Sequence, residues 1–304
     1  MANQSGAKKT WKRIDGVLLF DKSSGMTSNS ALQCARRLFS AAKAGHTGTL
    51  DPLATGLLPL CFGEATKFSA DLLEADKTYE ADLLFGVTTD TGDAEGAVVE
   101  RRPVMFSQPE LEEALSHFRG RISQIPPMYS ALKRDGKPLY ELARQGIEVE
   151  RKAREVTISE LQLLEFSGDR CRLRVSCSKG TYIRTLAEDI GNRLACGAHL
   201  TALRRTAVGA LRIVDALTLD QLNAMPEEER AQHLLAPDSL LQTLPAVHLD
   251  EESAQRFGHG NPVMTVLDPD IALGKCRVYD PVRLLGLGEV DAAGMVKPRR
   301  LVCA

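Results

Sequence analysis

The chain has 304 residues, of which 43% are hydrophobic and 26% are charged, and its net charge is -2. These values are ordinary for a globular protein and argue against a disordered chain. No apolar run approaches the length of a membrane span and the first residues form no signal peptide, so we expect a cytoplasmic protein without membrane contact. The length suits one large domain and one small domain.

Cysteine spacing and charge distribution add two constraints. The seven cysteines are irregularly spaced, which argues against a disulfide framework and against a zinc ribbon. From Asp215 to Glu252, nine acidic residues accompany the single Arg230, a balance of -8, so the remainder of the chain carries +6. A basic face is therefore compatible with the net charge, although a solvated surface accounts for the same residues.

The stretch from Gly45 to Gly56 sets one carboxylate, Asp51, among three glycines and three threonines. Glycine allows tight turns and close approach, and Pro52 fixes the backbone after the carboxylate. The stretch matches neither a Walker phosphate loop nor a dinucleotide-binding fingerprint, and it lacks metal-ligand spacing. Two interpretations stay open from the residues alone: Asp51 caps a helix over Leu53–Leu60, or it is a functional group on a shaped loop.

The first half of the chain alternates strand and helix signals. Residues 1–12 are predicted to form a disordered basic tail, because they contain almost nothing to bury. A turn that carries Lys22 follows the first predicted strand, and Tyr79 lies at the start of a later one. The predicted elements are strands at 16–20 and 79–86 and helices at 28–42 and 64–75.

The second half is predicted to contain an antiparallel strand pair followed by a helix with Arg184 in its first turn. An arginine there meets the positive end of the helix dipole, which is unfavourable unless an anionic group lies opposite or the side chain faces water. Gly197 is the expected C-cap of that helix. The predicted elements are helices at 107–118, 139–145 and 182–196, strands at 121–125, 156–166 and 170–178, and extended chain at 129–133.

The C-terminal part is predicted to be a separate small β-domain. The acidic stretch forms helices and connections on the side away from any polyanion, and a boundary falls within 244–252. Short apolar runs then alternate with glycine and proline, at 263–267, 276–279, 284–290 and 295–302. We therefore expect a catalytic domain over 13–245 and a small domain over 250–304.

Several segments, in a common order and separation, resemble the bacterial tRNA pseudouridine-55 synthases, the TruB family. The matching stretches are GVLLFDK at 16–22, GMTS at 25–28, all of 45–56, KTYEA at 77–81, PPMYSALK at 126–133, GTYIRTL at 180–186 and LRRT at 203–206. The resemblance implies the α+β pseudouridine synthase fold, a mixed and mainly antiparallel sheet flanked by helices, followed by a PUA-like β-domain. The chain departs at Ser23, where the family usually has proline, and at Ala195, where it often has glycine.

The resemblance implies conversion of a uridine in the T-arm of tRNA into pseudouridine. The base is detached from the ribose at N1, rotated and rejoined through C5. No cofactor, metal or obligate protein partner is expected. The expected partner is tRNA, held by its T-arm stem-loop, with contacts that could extend to the acceptor stem.

The functional residues of the family map onto seven positions of this chain. Asp51 matches the essential aspartate, acting as nucleophile or as general base, and Tyr79 matches the tyrosine that stacks on the base and helps to remove the C5 proton. Arg184 matches the arginine that pairs with the aspartate, which would answer the dipole objection and keep Asp51 ionised. The other matches are His46, for insertion into the T-loop in place of an extruded base, and Lys22, Tyr182 and Leu203, for the substrate pocket.

Two other functions are weighed against this one. A tRNA-binding or tRNA-folding module with secondary catalysis would not need the intact set of Asp51, Tyr79 and Arg184. A glycosidase or nucleosidase would need a second carboxylate beside Asp51, and no motif places one.

Overall fold

The computed structural model describes residues 10–130, 132–134, 136–264 and 273–303. Its elements in chain order are β1 (Gly16–Lys22), α1 (Ser28–Leu38), β2 (Ala44–His46), β3 (Thr55–Phe62), α2 (Ser69–Leu73), β4 (Lys77–Phe85), β5 (Val87–Thr89), β6 (Val98–Arg101), α3 (Gln108–Ser116), β7 (Gly120–Gln124), β8 (Lys133–Arg134), β9 (Lys137–Pro138), α4 (Leu139–Arg144), β10 (Arg154–Ser167), β11 (Arg170–Cys177), α5 (Ile183–Arg193), β12 (Ala198–Val208), β13 (Leu211–Arg212), β14 (Leu217–Thr218), α6 (Leu219–Ala224), α7 (Glu227–Arg230), β15 (Ala246–His248), α8 (Glu251–Gly258), β16 (Val263–Met264), β17 (Gly274–Tyr279), β18 (Leu284–Val290) and β19 (Met295–Leu301).

One large mixed sheet organises the first domain. Its strand order is β14-β1-β3-β12-β4-β11-β10-β7, with β2 beside β3 and β13 beside β12. Strand β3 runs parallel to β12, and β1 runs parallel to β14, while the other pairings along this order are antiparallel. Helices α1, α3 and α5 bury their apolar residues in one core with this sheet. The expected α+β class with a mainly antiparallel sheet is therefore confirmed.

Strand β1 is buried on both faces, which explains its uninterrupted apolar run. Leu18 and Phe20 join the main core under the helices. Val17 and Leu19 join a second core, to which Leu287 of the C-terminal sheet also belongs. The two domains therefore share buried apolar surface directly behind the first strand.

The small C-terminal domain has a sheet in the order β15-β17-β18-β19-β16 and its own apolar core, including Phe257 and Val278. Strands at 276–279, 284–290 and 295–302 were expected and are confirmed within one residue or two. The strand expected at 263–267 is described only to Met264, and its remaining residues lie outside the described part of the chain. The sheet begins at β15, which lies inside the expected boundary region 244–252.

The helix expected over Leu53–Leu60, with Asp51 as its cap, is wrong. This segment is β3, a central strand whose residues Leu57 and Leu58 are buried on opposite faces in different cores. Gly56 has φ +100°, and a Cβ there would lie 2.3 Å from the carbonyl oxygen of Arg205 on β12. A glycine is therefore required where β3 meets β12.

Four other local expectations need correction. The helix predicted at 64–75 is a 3₁₀ segment, Gly63–Phe68, followed by the short α2. Of the described residues in the stretch 129–133, which was expected to be extended, only Lys133 belongs to a strand. The left-handed residue directly after α5 is Ala195, with φ 59°, rather than Gly197. Lys12 is not part of a free tail, because its backbone pairs with that of residues 40–42; residues 1–9 of the predicted tail lie outside the described chain.

Candidate active site

The loop between β2 and β3 presents Asp51 and is anchored through its backbone on both sides of that residue. The hydroxyl of Ser28, at the start of α1, accepts a hydrogen bond from the N–H of Leu50 at 2.8 Å and donates one to the carbonyl of Leu50 at 3.0 Å. The carbonyl of Pro52 accepts from the N–H of Gly25 at 2.9 Å. The stretch 25–28 therefore fixes the loop backbone directly before and directly after the carboxylate.

Lys22 supports this loop from its buried side and is not among the described residues that line the cavity. Its side chain is 0% exposed, and Nζ donates to the carbonyls of Ser23 at 3.0 Å, Met26 at 2.6 Å and Pro52 at 3.3 Å. These acceptors use the three N–H donors of an ammonium group. Burial lowers the pKa of Lys22 to about 8, and the nearby Asp51 carboxylate opposes that shift.

Arg184, in the first turn of α5, joins groups from three separate segments. Its guanidinium is buried, with Nη2 at 3.0 Å from Oδ2 of Asp51 and donating to the carbonyl of Tyr129 at 2.7 Å. Nη1 donates to the carbonyl of Thr91 at 3.0 Å and lies 3.5 Å from Oδ2 of Asp93. Two carboxylates thus offset the unfavourable position of this arginine at a helix N-terminus.

Asp93 is a site residue that sequence reasoning missed. It is buried, its Oδ1 accepts from the hydroxyl of Thr91 at 2.6 Å and from the N–H of Glu95 at 3.1 Å, and it shares Arg184 with Asp51. The only signal was a polar, glycine-bearing run at 88–96 that contains several acids. Nothing local distinguishes Asp93 from its exposed neighbour Asp90.

Opposing effects set the charge of Asp51. Burial raises the pKa of this carboxyl, the Arg184 guanidinium lowers it, and the negative charge of Asp93 raises it again. The pKa of Asp51 is raised overall, so Arg184 offsets the effect of burial only in part. The side chain is still 44% exposed, so water in the open cavity solvates it. A bound nucleotide would displace that water and leave Arg184 as the nearest stabilising charge.

The carboxylate faces a cavity of about 310 Å³ whose walls come from the Asp51 loop, β4, β12 and the start of α5. This is the low end of the range for ligand pockets and fits one nucleotide rather than a duplex. The cavity brings together the expected residues Asp51, Tyr79, Tyr182, Arg184 and Leu203. Lys22 and His46 are not among its lining residues in the described part of the chain.

Tyr79 and Leu203 form the wall on the central strands. Leu203 lies opposite Ala81 across the β4–β12 pair, and Tyr79 lies opposite Arg205. Burial raises the pKa of the half-buried Tyr79, and the positive charge of Arg205 opposes this. Tyr79 is therefore a neutral phenol near pH 7, with a flat ring suited to stacking.

Arg205 is the second residue of the cavity region that sequence reasoning missed. Its charge is typical of a surface residue, but it is fully buried, with Nε donating to the carbonyl of Leu57 at 2.7 Å and Nη2 to that of Gly48 at 3.1 Å. Arg204, on the other face of the strand, instead pairs with Asp21 at 2.6 Å. Strand alternation separates the two neighbours.

His46 lies on β2, opposite Leu60, in the strand that leads into the Asp51 loop. It is half-buried, and its Nδ1 has no hydrogen-bond partner among the described residues. Burial lowers the pKa of His46, and the Arg205 guanidinium lowers it further. The imidazole is therefore neutral near pH 7 and is not suited to bind phosphate as a cation.

Neither a cluster of metal ligands nor a membrane-spanning helix is found among the described residues. No group of three or more histidine, cysteine, aspartate or glutamate side chains there could hold a metal ion. No helix there has the length and apolar character needed to cross a membrane.

Known proteins similar to this chain identify its family. Residues 36–183 match the TruB family pseudouridylate synthase N-terminal domain, 184–244 the tRNA pseudouridylate synthase B C-terminal domain, and 245–302 the pseudouridine synthase II TruB C-terminal domain. The tRNA pseudouridine synthase B of Dechloromonas aromatica (strain RCB) is 62% identical over 295 residues, which cover 97% of this chain and 98% of that protein. The chain belongs to the TruB family.

A second TruB relative agrees with this assignment, and a solved structure shares the fold. The tRNA pseudouridine synthase B of Burkholderia lata is 60% identical over 95% of this chain and 90% of its own length. A chain in the crystal structure of a Cbf5-Nop10-Gar1 complex superposes with a TM-score of 0.73 over 98% of this chain and 92% of its own, at 23% identity, which shows the shared fold. The expected family, fold and enzyme class are confirmed.

Proposed function

We propose that this TruB-family enzyme converts uridine 55 in the T-arm of tRNA into pseudouridine. The observation that carries the proposal is the position of Asp51, which lies 3.0 Å from Arg184 beside a cavity of one-nucleotide size. The tRNA pseudouridine synthase B relatives, up to 62% identical over nearly the whole chain, support tRNA as the substrate.

The size of the cavity implies that the target uridine leaves its stack before it reacts. A base within a folded arm cannot reach Asp51, so it is flipped out at a cost of a few kcal/mol. Stacking on an aromatic ring such as Tyr79 returns about 1–3 kcal/mol. His46, uncharged and next to the Asp51 loop, occupies the place of the extruded base in the T-loop.

The chemistry needs only groups of this chain. Cleavage of the N1–C1′ bond leaves its electron pair on the base and builds positive charge on the ribose. The Asp51 carboxylate either stabilises or captures this charge, as a nucleophile, or acts as the general base that starts the cleavage. After rotation of the base, C5 bonds to C1′ and loses its proton while N1 gains one. A neutral Tyr79 accepts the C5 proton only after releasing its own, so stacking is its principal contribution.

The test is incubation of unmodified tRNA transcript with the wild-type protein and with Asp51→Asn, followed by mapping of pseudouridine positions. We expect one pseudouridine at position 55 with the wild type and none with the variant, while tRNA binding stays within about threefold because only a charge is removed. Asp215→Asn, the same change at an exposed residue outside the cavity lining, is the matched control. Normal turnover by Asp51→Asn would disprove the assignment, and modification elsewhere would overturn the T-arm position.

A further inference from the structure

Two buried neutral side chains that do not line the cavity hold the backbone on either side of the Asp51–Arg184 pair. The first is Ser28, which is 2% exposed. Its hydroxyl both accepts from and donates to the backbone of Leu50, at 2.8 and 3.0 Å. Because Leu50 directly precedes Asp51, these two bonds restrict the direction in which the carboxylate leaves the loop.

The second is Gln124, the last residue of β7, which is also 2% exposed. Its Oε1 accepts from the N–H of Tyr182 at 3.1 Å, and its Nε2 donates to the carbonyl of Tyr182 at 3.3 Å. Tyr182 is the N-cap residue of α5, and its own side chain makes no capping bond. Gln124 therefore fixes the backbone at the start of α5, two residues before Arg184.

We propose that Ser28 and Gln124 are paired positioning residues for the reaction, one setting Asp51 and the other setting Arg184. Neither lines the cavity, so neither is expected to touch the nucleotide. Each acts through a two-way hydrogen bond with one backbone residue next to a reacting or pairing group. The inference rests on the proposed function, since its consequence is a rate.

The physical basis is the short reach of the pair that the two residues align. Asp51 and Arg184 lie on segments far apart in the sequence, and their 3.0 Å contact depends on the placement of both backbones. A shift of about 1 Å in a reacting group costs about a hundredfold in rate. Loss of either anchor is therefore expected to slow chemistry without removing any substrate contact.

The experiment compares Ser28→Ala, Gln124→Met and the double variant, as full chains, in single-turnover conversion of unmodified tRNA. Each single variant should lower the rate about tenfold to a hundredfold with tRNA affinity changed less than about threefold. The rate of the double variant should fall by less than the product of the two single losses. Once either Asp51 or Arg184 is displaced, correct placement of the other residue contributes little to their contact. Ser28→Thr, which restores the hydroxyl, should recover part of the rate.

Arg230→Met is the matched control for lost backbone anchoring. Arg230 donates to the carbonyls of Leu222, Leu38 and Met225, none of which lines the cavity. This variant should lower Tm while its rate stays within about twofold of wild type, since it disturbs no aligned group.

Carbon-13 NMR titration of the Asp51 carboxyl gives a readout that a loss of stability would not move. A weakened contact with Arg184 raises the pKa of Asp51 in both single variants, whereas a purely structural role leaves it unchanged. An unchanged Asp51 pKa, full rates in both variants, or fully multiplicative losses would each overturn the inference. A wild type that makes no pseudouridine would instead overturn the proposed function, and the titration would still decide on Ser28 and Gln124.

Discussion

At the scale of single residues, the environment of Asp51 opposes the negative charge that its proposed role requires. Burial raises its pKa despite Arg184, so the folded protein holds this proton more tightly than the unfolded chain does. Ionisation of Asp51 therefore lowers stability as pH rises from the unfolded-state pKa through the folded-state pKa. The charge that the proposed reaction requires on Asp51 therefore lowers the stability of the folded protein.

Asp51→Asn should accordingly be at least as stable as the wild type at neutral pH. At a pH low enough to protonate Asp51 in both states, the difference should vanish, because an acid and an amide are then both neutral. Urea denaturation at the two pH values measures this. A lower midpoint for the variant at neutral pH would contradict it.

Activity should show the opposite dependence on pH. In the proposed function the ionised carboxylate is the reactive form, so the rate should be lost as pH falls through the Asp51 pKa, which is raised above the usual value of an aspartate. In Arg184→Lys a single ammonium cannot span the four groups that the guanidinium joins. We expect a rate about a hundredfold lower and an acidic limb at higher pH, measured by single-turnover kinetics. If the acidic limb of the pH–rate profile stays at the wild-type pH, Arg184 does not control the ionisation of Asp51.

Ala195 shows how one residue can carry avoidable strain. It is exposed, it follows α5, and its φ of 59° is a conformation that favours glycine. Ala195→Gly should stabilise the protein by about 1 kcal/mol, read from thermal denaturation. The reverse-sign control is Ala143→Gly inside α4, which should destabilise it by about 1 kcal/mol. Equal signs for both changes would exclude this explanation.

At the scale of elements, the parallel pairing of β3 with β12 positions the loop that contains Asp51. Gly56 pairs with Arg205, and a side chain at Gly56 would collide with the Arg205 backbone at 2.3 Å. The same arginine holds the Asp51 loop through Gly48. A change in this strand junction is therefore transmitted to the Asp51 loop through the buried side chain of Arg205.

Gly56→Ala tests this junction. It combines an unfavourable φ with a backbone clash, so we expect a loss of about 3 kcal/mol or more in the free energy of unfolding. Gly168→Ala separates the two effects, because Gly168 also has positive φ but would place its Cβ in open space. That control should lose only about 1 kcal/mol. Equal losses would mean that the close approach does not matter.

At the scale of the whole molecule, acidic residues are concentrated in one stretch of the chain, and the remainder has a net positive charge. The acidic stretch 215–252 carries nine acidic residues, and none of its described residues lines the Asp51 cavity. Its strand β14 lies at one edge of the large sheet, away from β4 and the β12 wall. A negative overall charge is thus compatible with binding a polyanion on another face.

Binding of an isolated T-arm stem-loop should weaken as salt increases, since each phosphate contact releases counterions. The expected slope of log affinity against log salt is about -0.7 to -0.9 for each phosphate neutralised. Fluorescence anisotropy over a salt series measures it, and Asp215→Asn, at an exposed position outside the cavity lining, should leave the slope nearly unchanged. Affinity independent of salt would exclude a phosphate-tracking basic surface.

The sequence by itself determined the elements whose signals are local. Helical spacing located α1 and α5, two apolar runs around Gly168 located the β10–β11 pair, and glycine-punctuated runs located the C-terminal sheet. The motif stretches also singled out Asp51, Tyr79 and Arg184 and placed them within one family. Such features depend on spacings of two to four residues, which side-chain periodicity encodes directly.

Only the tertiary structure decided which distant residues share the site. From the sequence Asp93 and Arg205 resemble surface charges, but the fold buries both. Lys22 is also buried, and its ammonium group donates to three backbone carbonyls beside the Asp51 loop. Ser28 and Gln124 gained their importance from contacts with Leu50 and Tyr182. These contacts depend on strand register and on the approach of β3 to β12, which bring together segments that no local pattern relates.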